Sequence, residues 1–270
     1  VKTAILLAGL IADGPTRLFE PAKSRDHTER MLSAMGAILE SASTGRVHSV
    51  TMQPLQDNHL SPLDIKIPGD VSSAAFLIVG ALITPGSEVL IQNVGLNHTR
   101  TGLIDVLKNM GAQIIELNKH EQNNEPVGDL LVAYSDLSGI DVSGSQVTRM
   151  IDEFPAFSVA AAFASGKTQI TDAEELRYKE SDRITSIVTM LKTLGVQIEE
   201  VDDGFTILGN QRPLGGIIQA NRDHRLAMSM AICGLAARQR TTIQNSEIYR
   251  ESFPGFTEAL TSLGADLSHD

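Results

Sequence analysis

The sequence predicts an α/β protein made of a repeated strand-helix unit, with small-residue helices packed inside and sheets facing outward. Three observations lead there. An amphipathic helix ending at Gly and running into an apolar strand recurs four times: Leu32–Ala37, Leu107–Ala112, Leu191–Val196 and Leu260–Ala265. Each copy follows a second helix rich in small residues, which suits close helix packing. The interval between copies, roughly 70–85 residues, is that of a repeated supersecondary unit sharing one core.

In chain order the small-residue helices are read at 1–12, 72–84, 155–165 and 224–237. Short strands follow at 86–91 and 166–170. The phrase glycines Gly36, Gly111, Gly195 and Gly264 suit the left-handed residue just past a helix. Alternating strands are then expected from Ile114, Ile198 and Leu267. The later three copies have extended lead-ins at 63–68, 139–143 and 216–220, and the first has none. Residue 1 already falls within its helix, so the expectation is a chain that starts partway through a unit.

Composition narrows the function. The chain has 270 residues, 42% hydrophobic and 20% charged, and a formal net charge of -11, which disfavours nucleic acid and anionic membranes as partners. Cys233 is the single cysteine, leaving neither a disulfide framework nor a cysteine-based zinc site and fitting a reducing cytoplasm. The apolar opening after Lys2 has the look of a signal-peptide core, but its short length and lack of a cleavage pattern weigh against that reading. No apolar run approaches the roughly 20 residues that span a bilayer.

Charged residues gather at expected helix N-termini, where free backbone N–H groups favour phosphate and carboxylate. Asp70 with Ser72 and Ser73 reads as a cap, and Asp26, Glu29 and Arg30 as caps or surface pairs. Denser runs ask for more than capping. Lys179, Glu180, Asp182 and Arg183 put two cations and two acids within five residues, with Lys179 and Arg183 read on one helical face. Asp223-His224-Arg225 directly precedes an apolar helix. Arginine forks hold anions, and a neighbouring acid can carry a proton, so the mixture suits a multiply anionic substrate undergoing proton transfer.

The run Glu174–Arg183 resembles a signature of the 5-enolpyruvylshikimate-3-phosphate (EPSP) synthase family. Lys23–Glu29, Ile151–Pro155, Asp223–Met228 and Ser252–Pro254 match the same family in order. The resemblance implies the enolpyruvyl transferase inside-out barrel, with residues 1–66 the remainder of an N-terminal domain and 67–270 most of a C-terminal one. It further implies transfer of the enolpyruvyl group from phosphoenolpyruvate to the 5-hydroxyl of shikimate 3-phosphate, in a cytoplasmic enzyme of aromatic amino acid biosynthesis, with no metal or organic cofactor. By position, Asp152 resembles the base at the 5-hydroxyl and Glu180 the acid handling the methylene proton. Arg25, Asp152 and Lys179 resemble contacts to shikimate 3-phosphate, and Arg183, His224 and Arg225 contacts to phosphoenolpyruvate. The family's front residues lie outside this sequence, so one alternative is a fragment needing a separate front half. The other is a sister transferase acting on UDP-N-acetylglucosamine, which uses a loop cysteine; Cys233 instead falls in an apolar helix. Some family members carry Lys where this sequence has Arg250, Glu251 or Ser252.

Overall fold

A computed structural model describes residues 1–44, 47–57, 59–210 and 212–268. Each of the four units starts with a helix: Lys2–Gly9, Val71–Ile83, Phe154–Phe163 and His224–Ala236. A strand follows each, at Thr16–Glu20, Glu88–Gly95, Lys167–Ile170 and Thr241–Gln244. Next come the amphipathic helices His27–Ala34, Gly102–Asn109, Arg183–Thr193 and Phe256–Ser262.

The second helices all stop in the same way. The glycine after each has φ between +82° and +100°, a left-handed conformation that costs Gly little. The residue after it donates its N–H to a carbonyl five residues back: Ala37 to Leu32 at 2.9 Å, Ala112 to Leu107 at 3.0 Å, Val196 to Leu191 at 2.9 Å and Ala265 to Leu260 at 3.0 Å. This is the Schellman end expected from the phrase, and it turns the chain from helix to extended backbone.

Three units build the same antiparallel sheet, with the last of three strands in the middle. Thr16–Glu20 pairs with Val47–Met52, which pairs with Leu39–Thr44. Glu88–Gly95, Glu125–Ala133 and Gln113–Gln122 repeat the order, as do Lys167–Ile170, Gly204–Leu208 and Gln197–Val201. The lead-ins at 139–143 and 216–220 become parallel strands beside Lys167–Ile170 and Thr241–Gln244.

Two expected strands do not form. Residues 63–68 stay irregular and only Gly69 makes a parallel bridge, to Val94, because Pro62 and Pro68 bracket the segment and lack backbone donors. Residues 265–268 join no sheet among the described residues, although Ala265 and Leu267 pack on the core.

The helices Val71–Ile83, Phe154–Phe163 and His224–Ala236 are apolar almost all round and pack on one another, as a helix buried on every face must. Gly80 faces Ile232 and Leu235 of the partner helix. Sheet strands alternate buried and exposed residues, so the sheets face outward. A second, separate core joins Leu6, Leu10, Leu32, Ala37, Val50 and Met52.

A β-carbon added at Gly80 would meet Ile232 and Leu235 at 3.7 Å, ordinary contact. Gly80→Ala is expected to stabilise the protein by about 0.5–1 kcal/mol by restricting the unfolded chain. Gly80→Leu is expected to destabilise it by about 1–3 kcal/mol through overpacking. Urea midpoints at constant m-value check both.

Candidate active site

Helix N-termini carry the site, and aspartates prepare two of them. Asp223 accepts from the N–H of Arg225 at 3.0 Å and of Leu226 at 3.4 Å, opening the buried helix His224–Ala236. Asp182 accepts from Thr185 N–H at 3.1 Å and opens Arg183–Thr193. Local cap chemistry therefore fixes where His224, Arg225 and Arg183 emerge.

Lys179 and Arg183 do not share a helical face. A 3-10 turn ends at Tyr178, and Lys179 is extended at φ -86°, ψ -158°. The loop 179–182 is instead clamped by Arg177, whose guanidinium donates to Asp182 at 2.9 Å, Glu200 at 2.9 Å, and the carbonyls of Val201 and Asp202. The two cations still meet, because both reach Asp152. Lys179 Nζ lies 3.7 Å and Arg183 Nη1 3.6 Å from Asp152 Oδ1. Arg25, from residues 21–26 outside any helix or strand, donates to Asp152 Oδ2.

Burial opposes the charge on Asp152, but Arg225, Arg25 and Lys179 outweigh it and hold the carboxyl down at about 2. Arg183 is fully buried. Its Nε donates to Asp223 Oδ2 at 2.9 Å and its Nη2 to Glu180 Oε2 at 2.6 Å, while Ser181 Oγ donates to Asp223 at 3.0 Å. Arg183 Nη1 has no hydrogen-bond partner among the described residues. Burial, then the neighbouring Arg225, lowers the pKa of half-buried His224, favouring neutral imidazole.

Arg25, Lys179 and Arg183 thus meet at the Asp152 carboxylate, Arg225 adds to its field, Glu180 joins through Arg183, and His224 lies near Arg225, Asp223 and Glu180. Chemically, the cluster offers fixed cations for an anionic molecule and acids within reach of them. Among the described residues no group of three His, Cys, Asp or Glu comes together as a metal site. None of the helices there is long and apolar enough to cross a membrane. Cys233 is buried, and burial pushes its thiol up to about 12. Arg250 lies over the Tyr249 ring, 5.8 Å from its centroid.

Asp26 and Arg30 are not a surface pair. Asp26 is buried and accepts from Arg30 Nε at 2.9 Å and Asn97 Nδ2 at 2.7 Å. Nor is Asp70 only a cap: besides Ser72 N–H at 3.2 Å it takes Arg100 Nη2 at 3.0 Å. Arg100 also donates to Ser72 Oγ, which donates to the buried Glu153 beside Asp152. Asn97, Glu125 and the Ser72–Glu153 pair went unread in the sequence. Their partners lie tens of residues away, and no local pattern marks them.

Residues 1–260 match the family described as EPSP synthase (3-phosphoshikimate 1-carboxyvinyltransferase). The chain is 52% identical over 259 residues to the 3-phosphoshikimate 1-carboxyvinyltransferase of Petrotoga mobilis, covering 96% of this chain and 59% of that protein. It is 48% identical over 274 residues to that of Magnetococcus marinus, covering 100% and 60%. The EPSP synthase structure from Acinetobacter baumannii superposes with a TM-score of 0.88 at 41% identity, over 98% of this chain and 60% of that one. The enolpyruvyl transferase NikO from Streptomyces tendae superposes at 0.74 with 20% identity, over 98% and 59%, a likeness of fold alone. The chain therefore spans about 60% of the length of the relatives it matches.

Because the Asp152 carboxyl is depressed by its cations, its contribution to stability is present above the unfolded value near 4. It is lost as pH falls towards about 2. The difference in unfolding free energy between the parent and Asp152→Asn is expected to shrink by about 2 kcal/mol across that window. Urea unfolding at stepped pH measures it.

Proposed function

The chain belongs to the EPSP synthase family, and from that premise we propose that its protein transfers the enolpyruvyl group of phosphoenolpyruvate to the 5-hydroxyl of shikimate 3-phosphate, releasing phosphate. The observation that carries the proposal is the convergence of Arg25, Lys179 and Arg183 on the Asp152 carboxylate. The two separate cores support a division into an N-terminal domain remainder, 1–66, and a C-terminal domain, 67–270.

Arg25 and Lys179 bind the phosphate of shikimate 3-phosphate. In doing so they leave Asp152, whose carboxyl regains the basicity that those cations suppress. Asp152 then takes the proton of the 5-hydroxyl as that oxygen bonds to C2 of phosphoenolpyruvate. The methylene carbon gains a proton, giving a tetrahedral intermediate. Loss of a methyl proton and of phosphate restores the double bond in the product. Glu180, paired with Arg183 at 2.6 Å, carries the proton to and from that carbon. Arg183 Nη1 and Arg225 hold the phosphoenolpyruvate phosphate and carboxylate, with neutral His224 beside them. Asp223 keeps Arg183 in place.

The chemistry draws on side chains and needs no cofactor. A net charge of -11 and the single, buried Cys233 favour a cytoplasmic enzyme with small-molecule substrates. A transferase of UDP-N-acetylglucosamine is disfavoured, because residues 1–260 match the EPSP synthase family and the relatives at about 50% identity carry that family's name.

The test is phosphate release by the whole protein carrying these 270 residues, given both substrates. Turnover is expected to need both. Asp152→Asn is expected to lower kcat about 10²- to 10⁴-fold, as loss of a general base does. Full activity in Asp152→Asn contradicts the assigned base, and no turnover by the parent contradicts the function.

A further inference from the structure

Asp26, the residue that follows Arg25, is locked into a buried network that the proposed chemistry leaves unused. Asp26 is bound by Lys23 at 2.8 Å, Arg30 at 2.9 Å and Asn97 Nδ2 at 2.7 Å. Asn97, 2% exposed, is oriented by Thr99, whose N–H and Oγ1 donate to its Oδ1 at 2.9 and 2.8 Å. That leaves its amino group to bridge two carboxylates, Asp26 and Glu125, the second at 2.9 Å. The other Glu125 oxygen lies 2.7 Å from His27 Nδ1. Burial works against the charge on Glu125, yet donation from His27 and Asn97 holds its carboxyl below the usual range. In the turn between the paired strands Gln113–Gln122 and Glu125–Ala133, the Asn124 carbonyl accepts from Arg30 at 2.6 Å.

The network joins residues 23–30 to the unit that carries the strands Glu88–Gly95 and Glu125–Ala133. Arg25 lies between the anchored Asp26 and a stretch with no regular backbone hydrogen bonding. Its side chain is 44% exposed, with Asp152 as its ion-pair partner. Such a side chain keeps its direction only as long as its backbone is held.

We infer that Asn97 and Glu125 are positioning residues that aim Arg25 at Asp152, and that they set affinity for the phosphate-bearing acceptor through Arg25 alone. The inference rests on the function proposed above. Arg25 meets the acceptor's phosphate rather than the reacting atoms, so disturbing its anchors raises KM for the acceptor and leaves kcat in place. A network that merely holds the chain together would affect both substrates, or neither.

A double-mutant cycle in the whole protein separates these cases. Glu125→Gln keeps the shape of the side chain and an acceptor oxygen. It is expected to raise KM for shikimate 3-phosphate about tenfold, with kcat and KM for phosphoenolpyruvate within about twofold, a coupling typical of residues in one network. In the Arg25→Ala background the same change is expected to have no further effect. Asn97→Ala should show the same pattern, with the thermal midpoint recorded to detect unfolding. Equal losses with and without Arg25, losses shared by both substrates, or an unchanged KM each overturn the inference while leaving the proposed function standing. A parent that neither turns over nor binds shikimate 3-phosphate by calorimetry overturns the function and the inference together.

Discussion

The Asp152 carboxylate is contacted by three cations from two distant stretches of chain, Arg25 on one and Lys179 and Arg183 on the other, with Arg225 adding to the field. No short segment could supply that arrangement. It needs residues 21–26, the loop 179–182 and the starts of two helices brought to one point. Such a concentration of charge is stable only when each ion is paired, since an unpaired buried charge costs several kcal/mol. Asp223 and Glu180 meet that need for Arg183, whose third nitrogen is left without a hydrogen bond. The site thus sets four cations, Arg25, Lys179, Arg183 and Arg225, against the three carboxylates Asp152, Glu180 and Asp223 and is short of one acceptor, which an incoming oxyanion can provide.

The repeat explains how the point of convergence arises. Each unit begins with a helix, and the three buried ones pack against each other. The residues just before two of them, Asp152 and Glu153 ahead of Phe154 and Asp223 ahead of His224, therefore come close together. Buried Glu153 joins the third by accepting from Ser72 at the start of Val71–Ile83. Small residues in these helices permit the close packing, as Gly80 does against Ile232. Fold and site are linked through side-chain size: bulky residues there would drive the helix starts apart.

Much of this was legible because it is local. The Gly36, Gly111, Gly195 and Gly264 endings depend on six consecutive residues, and all four form as read. Motif resemblance singles out seven residues, of which Arg25, Lys179 and Arg183 contact Asp152 and Glu180 pairs with Arg183. Lys179 and Arg183 were misread as one helical face because their spacing matches a helix, whereas Arg177 ties that loop to the strand pair behind it. Residues 63–68 alternate like a strand, yet the bracketing prolines leave them unpaired. Asn97 and Glu125 had no signal at all, since an amide and a carboxylate gain meaning only from partners brought in by the fold.

In the proposed chemistry, cations restrain Asp152 until the acceptor's phosphate draws them off. Carbon-detected NMR of the Asp152 side-chain carboxyl, titrated with and without shikimate 3-phosphate, measures this directly. A pKa of about 2 in the free protein, moving up by one unit or more on binding, about 1.4 kcal/mol of lost cation pairing, is the expected result. A carboxyl whose pKa stays put or falls further when the acceptor is bound would rule out this release of Asp152.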